Sequence, residues 1–307
     1  MYAIGYYELI NSIYTLPCYW KDAGQPQSLP SATALNSIAI GPDSAVYIAG
    51  LDNNYNACYW KDGGQPRIFP NGNFVKSIAI GPDSTVYIAG RDNNNNACYW
   101  KDGGQPRILP NGVDASAIAI GPDGAVYIVG CCYSIQALIA CYWKDGGQPQ
   151  PLPLPSDASV DSDANAIAIG PDDAVYIAGY YRDKNYNEVP CYWKNGGQSQ
   201  PILSSPVTLS CANVIAIGPD GAVNIAGYYF AGSYAAYYWK DGQLQILGHN
   251  EVNAIAIGPD GAVYIGGRDP ATGACYWKDG NQPQYLSVPP GGATFSATVT
   301  GIAVKEQ

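Results

Sequence analysis

Apolar residues along this chain come in short alternating runs that are separated by turn-forming residues. Residues 38–40 read Ile-Ala-Ile and are followed by Gly-Pro-Asp, in which proline suits the second position of a tight turn. Further runs follow at 46–49, 58–61 and 67–69, the last of them after Asp-Gly-Gly-Gln-Pro. Short alternating runs bounded by Gly, Pro and Asp are typical of β-strands. The pattern predicts four short antiparallel strands joined by hairpins.

This four-strand unit recurs along the whole chain, and each copy carries a Trp-Lys pair. Consecutive pairs are 38 to 50 residues apart. A strand-rich repeat of this period is typical of a β-propeller or a solenoid. The seven tryptophans are Trp20, Trp60, Trp100, Trp143, Trp193, Trp239 and Trp277.

The two ends of the chain favour a closed ring over an open solenoid. The sequence opens on a second strand, Tyr2 to Gly5, and it stops at a first strand, Gly301 to Val304. Together they complete one blade, with 18–21 and 27–30 as its remaining strands, whereas an open solenoid needs capping repeats. We therefore expect an all-β, seven-bladed β-propeller as a single domain over 1–307, with four antiparallel strands per blade. The expected blades are 1–30 plus 300–307, 37–70, 77–110, 117–154, 166–204, 214–247 and 254–288.

The inner hairpin has the consensus Ile-Ala-Ile-Gly-Pro-Asp-Gly-Ala-Val-Tyr-Ile-Ala-Gly. It resembles the repeats of NHL-type and related bacterial propellers. With Tyr-Trp-Lys-Asp-Gly attached, the full unit is similar to repeats of uncharacterised bacterial propeller proteins. The resemblance covers the whole chain and implies the fold. It implies no activity, because such propellers include enzymes, scaffolds and sensors.

Charge and hydropathy exclude several classes of partner. The chain of 307 residues carries 15 Lys and Arg against 25 Asp and Glu, a net charge of −10, with no basic stripe. Phosphate neutralisation needs such a stripe, so we expect no nucleic-acid partner. No apolar run is long enough to cross a bilayer, so we expect no membrane insertion. We expect a monomer.

The cysteines predict a structural role rather than a disulfide framework. Equivalent positions on neighbouring blades should lie about 10 Å apart, which is too far for a disulfide. A small buried apolar residue between blades is the better interpretation. Nine cysteines without plausible pairing, and an N-terminus without a signal peptide, favour the cytoplasm. Six of them share one repeat position: Cys18, Cys58, Cys98, Cys141, Cys191 and Cys275.

Comparison of the seven copies separates two kinds of loop. The turns between strands 1 and 2, and between strands 3 and 4, are nearly constant. Loops between strands 2 and 3, and the links from strand 4 to the next blade, vary in length and composition. In an up-and-down blade the two variable connections lie on one side of the disc, which we call the variable face. The side with the constant turns is the constant face. Binding residues concentrate on variable loops held by a rigid scaffold, although drift of unburied loops would produce the same variation.

One polar position, two residues before each inner-strand isoleucine, is expected to form a ring at the mouth of the axial channel. Nearby carboxylates at Asp114, Asp163 and Glu251 give the ring some likeness to the site of metal-dependent propeller lactonases. The ring itself holds no carboxylate, so a solvated polar rim is the favoured interpretation, with no metal, no cofactor and no catalytic residue. His249, the only histidine, has no triad around it. The ring residues are Asn36, Lys76, Ser116, Asn165, Asn213, Asn253 and Thr300.

Tyrosines provide the strongest signal for a binding site. Several fall in what the pattern predicts to be strand 2–3 loops, beside Asn and Asp. A flat ring that stacks and amides that bind hydroxyls suit a sugar or a peptide. Simple extension of strand 2 is the alternative. The candidate ligand-binding residues are Tyr55, Tyr180, Tyr181, Tyr186, Tyr228 and Tyr229.

Three functional hypotheses follow. The first is a non-enzymatic binding or scaffold propeller that holds a carbohydrate or a protein segment on the variable face. The second is a metal-dependent lactonase or hydrolase at the channel mouth, with a metal held by Asn165, Asn213, Asn253 and nearby carboxylates. The third is a recently amplified or idealised repeat protein with no evolved ligand, since the second and third blades are nearly identical in sequence.

Overall fold

The computed structural model describes residues 1–9, 14–134, 137–203, 209–289 and 292–305. Within these ranges the chain forms strands and turns and contains no helix, so no helix there could span a membrane. Its strands form seven antiparallel sheets, which are the blades of a seven-bladed propeller. The predicted fold is confirmed. The expected blade bounds include 10–13, 135–136, 204 and 306–307, which lie outside the described residues.

The strands are numbered in the order in which the chain forms them. Blades 1 and 2 contribute β1 (Tyr2–Leu9), β2 (Thr15–Lys21), β3 (Ala32–Ile40), β4 (Val46–Asp52), β5 (Ala57–Lys61) and β6 (Arg67–Ile68). Blades 3 and 4 contain β7 (Gly72–Ile80), β8 (Val86–Asp92), β9 (Ala97–Lys101), β10 (Arg107–Ile108), β11 (Ala117–Ile120), β12 (Val126–Tyr133), β13 (Leu138–Lys144) and β14 (Gln150–Pro151). Blades 5 and 6 contain β15 (Ala158–Ile169), β16 (Val175–Asp183), β17 (Glu188–Lys194), β18 (Gln200–Pro201), β19 (Leu209–Ile217), β20 (Val223–Phe230), β21 (Tyr234–Lys240) and β22 (Gln243–Gly248). Blade 7 contains β23 (Glu251–Ile257), β24 (Val263–Asp269), β25 (Gly273–Lys278) and β26 (Gln284–Tyr285), and β27 (Gly292–Ala303) follows.

The two termini share blade 1, as the sequence predicts. The last strand, β27, lies beside β1 and pairs with it antiparallel, Tyr2 opposite Ala303. The sheet order is β2-β1-β27, one strand short of the other blades. The predicted outer strand at 27–30 is reduced to a single antiparallel bridge between Gln27 and Tyr19.

Neighbouring blades are held together by buried tryptophans. Trp60 and Trp100 are fully buried, and each indole Nε1 donates a hydrogen bond to a proline carbonyl of the preceding blade, at 2.9 Å to Pro30 and 3.0 Å to Pro70. The repeated cysteine lies beside the tryptophan, as Cys98 does in the cluster between blades 2 and 3. All nine cysteines are free and buried, which confirms their packing role. Burial raises the pKa of Cys58 to about 12.

On the constant face, the repeated lysines stabilise the ends of the hairpins. The ammonium group of Lys61 lies 5.0 Å from the centre of the Tyr47 ring and 2.8 Å from Asp43 Oδ2. In blade 5, Lys194 makes the same two contacts with Tyr176 and Asp172. A contact that repeats from blade to blade indicates a structural role, so a specific site is expected on the variable face.

Candidate functional site on the variable face

In six blades the inner strand extends further towards the variable face than the sequence predicts, whereas β11 of blade 4 begins at Ala117. For example, β3 begins at Ala32 rather than at residue 38, and most of the expected linker before residue 166 belongs to β15. Each extension is interrupted by a bulge, where one extra residue has no partner in the ladder. In β3 the register shifts between Leu35 and Ser37, so the extra residue is Asn36. A bulge turns its extra side chain out of the normal alternation of the strand.

This bulge residue is the predicted ring residue. Register shifts bracket the ring position in six blades, and in blade 4 Ser116 takes the same place, donating its N–H to Val129 just before β11 begins. All seven side chains therefore line one open cavity of about 370 Å³ on the axis. The structure places the ring residues together. Whether they bind a ligand stays a prediction.

A glycine in the second strand makes room for the bulge in every blade. In blade 5 a Cβ on Gly179 would overlap the carbonyl oxygen of Asp163. The glycines of the other six blades meet the equivalent carbonyl: Gly5, Gly50, Gly90, Gly130, Gly227 and Gly267. The glycine that ends the Tyr-Ile-Ala-Gly motif is therefore required by the strand that carries the ring.

Most ring residues also tie one blade to the next. Asn213 Nδ2 donates to the carbonyl of Val252 at 3.2 Å, and Asn253 Nδ2 donates to Val299 at 3.0 Å. Asn36, Asn165 and Thr300 make the same link to the following blade. Among the described residues, no protein group donates to the Oδ1 atoms of these asparagines. The ring therefore offers hydrogen-bond acceptors to the channel while its donors serve the fold.

Charged groups flank the ring on the side of blades 3 to 5. Lys76, the cationic ring residue, pairs with Asp114 of the next blade, and Arg91 Nε lies 3.5 Å from the same carboxylate. Asp163 follows in blade 5 and accepts an N–H from Ala164 at 2.8 Å. Burial raises the pKa of Asp163 to about 6, against the opposing effect of that hydrogen bond, and the charge of Asp114 adds to the rise. A half-buried carboxyl group that titrates near neutral pH has the properties of a general acid or base.

Four of the six candidate tyrosines lie in strands rather than in loops. Tyr180 and Tyr181 belong to β16, and Tyr228 and Tyr229 belong to β20, so the loop placement is wrong. The ladders continue because the long strands β15 and β19 pair with these segments. Tyr181 is only 7% exposed and packs between blades 4 and 5. Tyr229 packs in the next cluster.

Tyr180 and Tyr228 both lie near Glu188 of blade 5 and Cys211 of blade 6. Burial raises the pKa of each tyrosine to about 12, and nearby negative charges add to the effect. Tyr228 also makes an edge contact with Tyr234 at 5.7 Å between ring centres. Tyr180 is also the ladder partner of Asp163.

The other two candidates, Tyr55 and Tyr186, are at loop tips as predicted. They are 66% and 70% exposed. Both have left-handed backbone conformations, with φ of 60° and 63°. In blade 3 the same place in the same loop is taken by Asn95, with φ of 62°. Asparagine tolerates this conformation, whereas for a bulky residue it is an uncommon and strained one.

The loops that carry these residues are closed by their own aspartates. Asp183 Oδ1 accepts the N–H groups of Asn185 and Asn187 at 2.8 and 2.9 Å. The side-chain amide of Asn187 and these N–H groups keep the pKa of Asp183 below its ordinary value. Asp52 holds its loop in the same way. The Asp-Asn-rich loops are thus self-contained turns.

Groups suited to a metal or a catalytic triad are scarce in the described ranges. No cluster of three or more His, Cys, Asp or Glu residues there could hold a metal ion. His249 Nδ1 lies 3.0 Å from the carbonyl of Tyr234, away from the ring residues. Within this part of the chain, the polar chemistry of the variable face consists of amides, tyrosines and ion pairs, among them the charged groups beside Lys76.

Sequence reasoning did not select Arg91 or Phe74, which lie beside Lys76. Neither belongs to the repeat consensus, and neither falls at a ring position. The signal that identifies them is the difference between two nearly identical blades, since blade 2 has Leu51 and Ala34 at these positions.

Comparison with known proteins supports the fold and leaves the activity open. No protein-family model matches the chain, and no curated protein matches its sequence, so the resemblance to NHL-type repeats is not established as membership. Solved structures do match in shape. A polysaccharide lyase, ulvan lyase, has a TM-score of 0.52 with 10% identity over 83% of this chain and 85% of its own. A gluconolactonase of Xanthomonas campestris has a TM-score of 0.47 with 14% identity over 81% of this chain and 86% of its own. At such identities the likeness concerns the propeller alone.

Proposed function

We propose that this protein binds carbohydrate across the channel mouth of the variable face, with Tyr55 and Tyr186 as stacking platforms. The observation that carries the proposal is the conformation of these two residues. A left-handed backbone costs a residue other than glycine about 1 to 2 kcal/mol. Asn95 shows that the same loop forms without a tyrosine. A strained, exposed aromatic ring that the loop does not need is best explained by a ligand.

The positions of the two tyrosines indicate an extended ligand. Tyr55 belongs to blade 2 and Tyr186 to blade 5, three blades further around the ring. In a ring of seven blades, three steps turn through about 154°, so the two loops lie nearly opposite each other. A glycan stacked on both rings would pass over the channel mouth, where the asparagine Oδ1 atoms accept hydrogen bonds from its hydroxyl groups.

Two of the structures of similar shape are of ulvan lyase, one of them bound to the disaccharide -[GlcA(1-4)Rha3S]-. At 10 to 11% identity this likeness extends to the fold only. The proposal therefore rests on the side chains of this chain and not on the activity of that enzyme.

A glycan-array screen tests the proposal, with wild-type protein and a Tyr55→Asn/Tyr186→Asn double variant. Asparagine is the residue that blade 3 uses, so the variant keeps the loops. We expect the wild type to retain one or more glycans that the double variant loses. Tyr285→Asn, which removes an exposed tyrosine from the outer strand β26, is the matched control and should keep the hits. Hits that survive in the double variant, or no hit with folded wild type, would reject the proposal.

Asp163 favours a second candidate function, acid–base catalysis on a bound sugar or sugar lactone. A carboxyl group with a pKa of about 6 changes its protonation state near neutral pH. If Asp163 acts in this way, turnover will follow a titration near pH 6 and will be lost in Asp163→Asn, while glycan binding is retained. Equal turnover by wild type and variant would remove this candidate.

A further inference from the structure

A recess beside the channel mouth differs in charge from the rest of this acidic protein. It has a volume of about 400 Å³ and is lined by Asn73, Phe74, Lys76, Arg91 and Asn95, all from blade 3. Two cations, an aromatic ring and two amides therefore surround one opening. Phe74 is 39% exposed, so its ring is accessible at the edge of the recess.

The positive charge of the recess is incompletely neutralised. Lys76 and Arg91 share a single carboxylate, Asp114. Elsewhere on this face each arginine has at least one carboxylate of its own. Arg182 faces both Asp161 and Glu188, and Arg268 pairs with Glu251. Within salt-bridge distance the recess therefore holds two cations against one carboxylate, in a chain whose net charge is −10.

Two polar atoms in the recess lack hydrogen-bond partners. Arg91 Nε is buried and close to Asp114, but the geometry makes no hydrogen bond. Asn73 Oδ1 is buried and accepts no hydrogen bond, although its Nδ2 donates to Asn95 at 3.1 Å. A buried donor and a buried acceptor without partners are costly, so a small shift of these side chains towards a ligand with an anionic oxygen and hydroxyl groups would relieve that cost.

Comparison of blades 2 and 3 shows that the recess is the main difference between two near-copies. Residues 31–70 and 71–110 align without a gap and are identical at 30 of 40 positions. All five residues that line the recess are among the ten that differ. Blade 2 has Thr33, Ala34, Asn36, Leu51 and Tyr55 at these positions. Random drift would distribute the ten differences over the blade. Instead, half of them line this one recess, and they include both of its cations.

We propose that this recess binds the acidic group of a saccharide, a carboxylate or a sulfate, with Lys76 and Arg91 holding the anion and Phe74 contacting the sugar ring. The inference rests on the proposed function, whose ligand it makes an acidic glycan. Arginine and lysine bind carboxylate and sulfate oxygens by charge-assisted hydrogen bonds. An apolar ring face against an aromatic side chain would orient the sugar.

Calorimetric titration with tetragalacturonate and with its neutral methyl ester tests the inference. Wild type should bind the acid at least about tenfold more tightly than the ester, because the ester cannot form the charge-assisted bonds. The variant Lys76→Asn/Arg91→Leu, which restores the residues of blade 2, should bind the two equally. Lys101→Asn removes a cation of the same blade on the opposite face and should change nothing. Thermal melting confirms that each variant is folded.

Further titrations distinguish a carboxylate from a sulfate ligand, and they distinguish this inference from the proposed function. Sulfated oligosaccharide in place of tetragalacturonate shows which acidic group is preferred. Phe74→Ala should weaken both sugars and leave the binding of free sulfate unchanged. Free sulfate bound as tightly as the oligosaccharide would overturn the inference in favour of an inorganic-anion site. If wild type binds acid and ester equally, and Tyr55→Asn/Tyr186→Asn binds neither, the inference of an acidic ligand is overturned and the proposed function is kept. Binding of no saccharide would overturn both.

Discussion

At the scale of single residues, Tyr55 and Tyr186 should lower the stability of the fold. Their left-handed conformations are ones that asparagine adopts more readily. We predict that Tyr55→Asn raises the free energy of unfolding by about 1 kcal/mol, and that the reverse change, Asn95→Tyr, lowers it by a similar amount. Urea denaturation of the three proteins measures both effects. A destabilised Tyr55→Asn variant would show that the tyrosine is held for packing and not for a ligand.

Asp163 should make stability depend on pH. Its pKa of about 6 in the folded protein lies above the ordinary value of about 3.9 expected in the unfolded chain. The folded state therefore holds the proton more tightly. Stability falls as the pH rises from about 4 to 6 and stays lower above that range.

We predict that Asp163→Asn is more stable than wild type at pH 8, by about 2 kcal/mol after allowance for water at the channel mouth. At pH 3.5 the two proteins should be equally stable, because wild-type Asp163 is then protonated in both states. Urea denaturation at the two pH values measures this difference. Asp161→Asn, at an exposed neighbouring carboxylate, is the control. A difference that is the same at both pH values would contradict the raised pKa.

The sequence predicted these residues to different extents. The seven ring positions could be selected because they share one place in the repeat. The left-handed backbone of Tyr55 could not, since tyrosine is not a residue that signals that conformation. The proximity of the two cations Lys76 and Arg91 could not be predicted either, because the pairing of β7 with β8 brings them together.

At the scale of elements, the bulged inner strand and the glycine beside it act as one unit. We predict that Gly179→Ala destabilises the fold by about 3 kcal/mol or more, because the new methyl group would overlap the backbone of Asp163. Thermal or urea unfolding measures the effect.

The control for Gly179→Ala is Gly124→Asp in a turn of the constant face. Gly124 has φ of 80° and open space around its Cβ position, and blade 5 has Asp173 there with φ of 60°. This control should cost well under 1 kcal/mol. Equal effects of the two substitutions would mean that the bulge does not constrain the second strand.

Strand order and hairpins followed from the sequence because alternation and turn residues are local signals. The length of the inner strands did not. Residues 158–163 read as a polar linker, and they form a strand only because β16 offers a partner on the other side of the bulge. Because of the same pairing, Tyr180 and Tyr181 lie in a strand and not in the predicted loop.

At the scale of the whole molecule, the ring places separate blades around one axis. Closure through β27 was predictable from the two incomplete ends of the repeat. What the repeat pattern does not show is which blades cooperate, because that depends on side chains that break the repeat. Blades 2 and 5 supply the loop-tip tyrosines Tyr55 and Tyr186, and blade 3 supplies the cationic recess beside the channel mouth.

The most direct test of glycan binding across the mouth is the dependence of affinity on glycan length. Calorimetric titration would use an oligosaccharide series from two to eight units, chosen from the array hits, with wild type, Tyr55→Asn and Tyr186→Asn. We predict that wild-type affinity rises with length until one chain spans both tyrosines. Each single variant should bind the longest glycan about tenfold more weakly than wild type does. The two single variants should bind the shortest glycans with equal affinity. Affinity that is independent of length, or unchanged in both variants, would contradict the account.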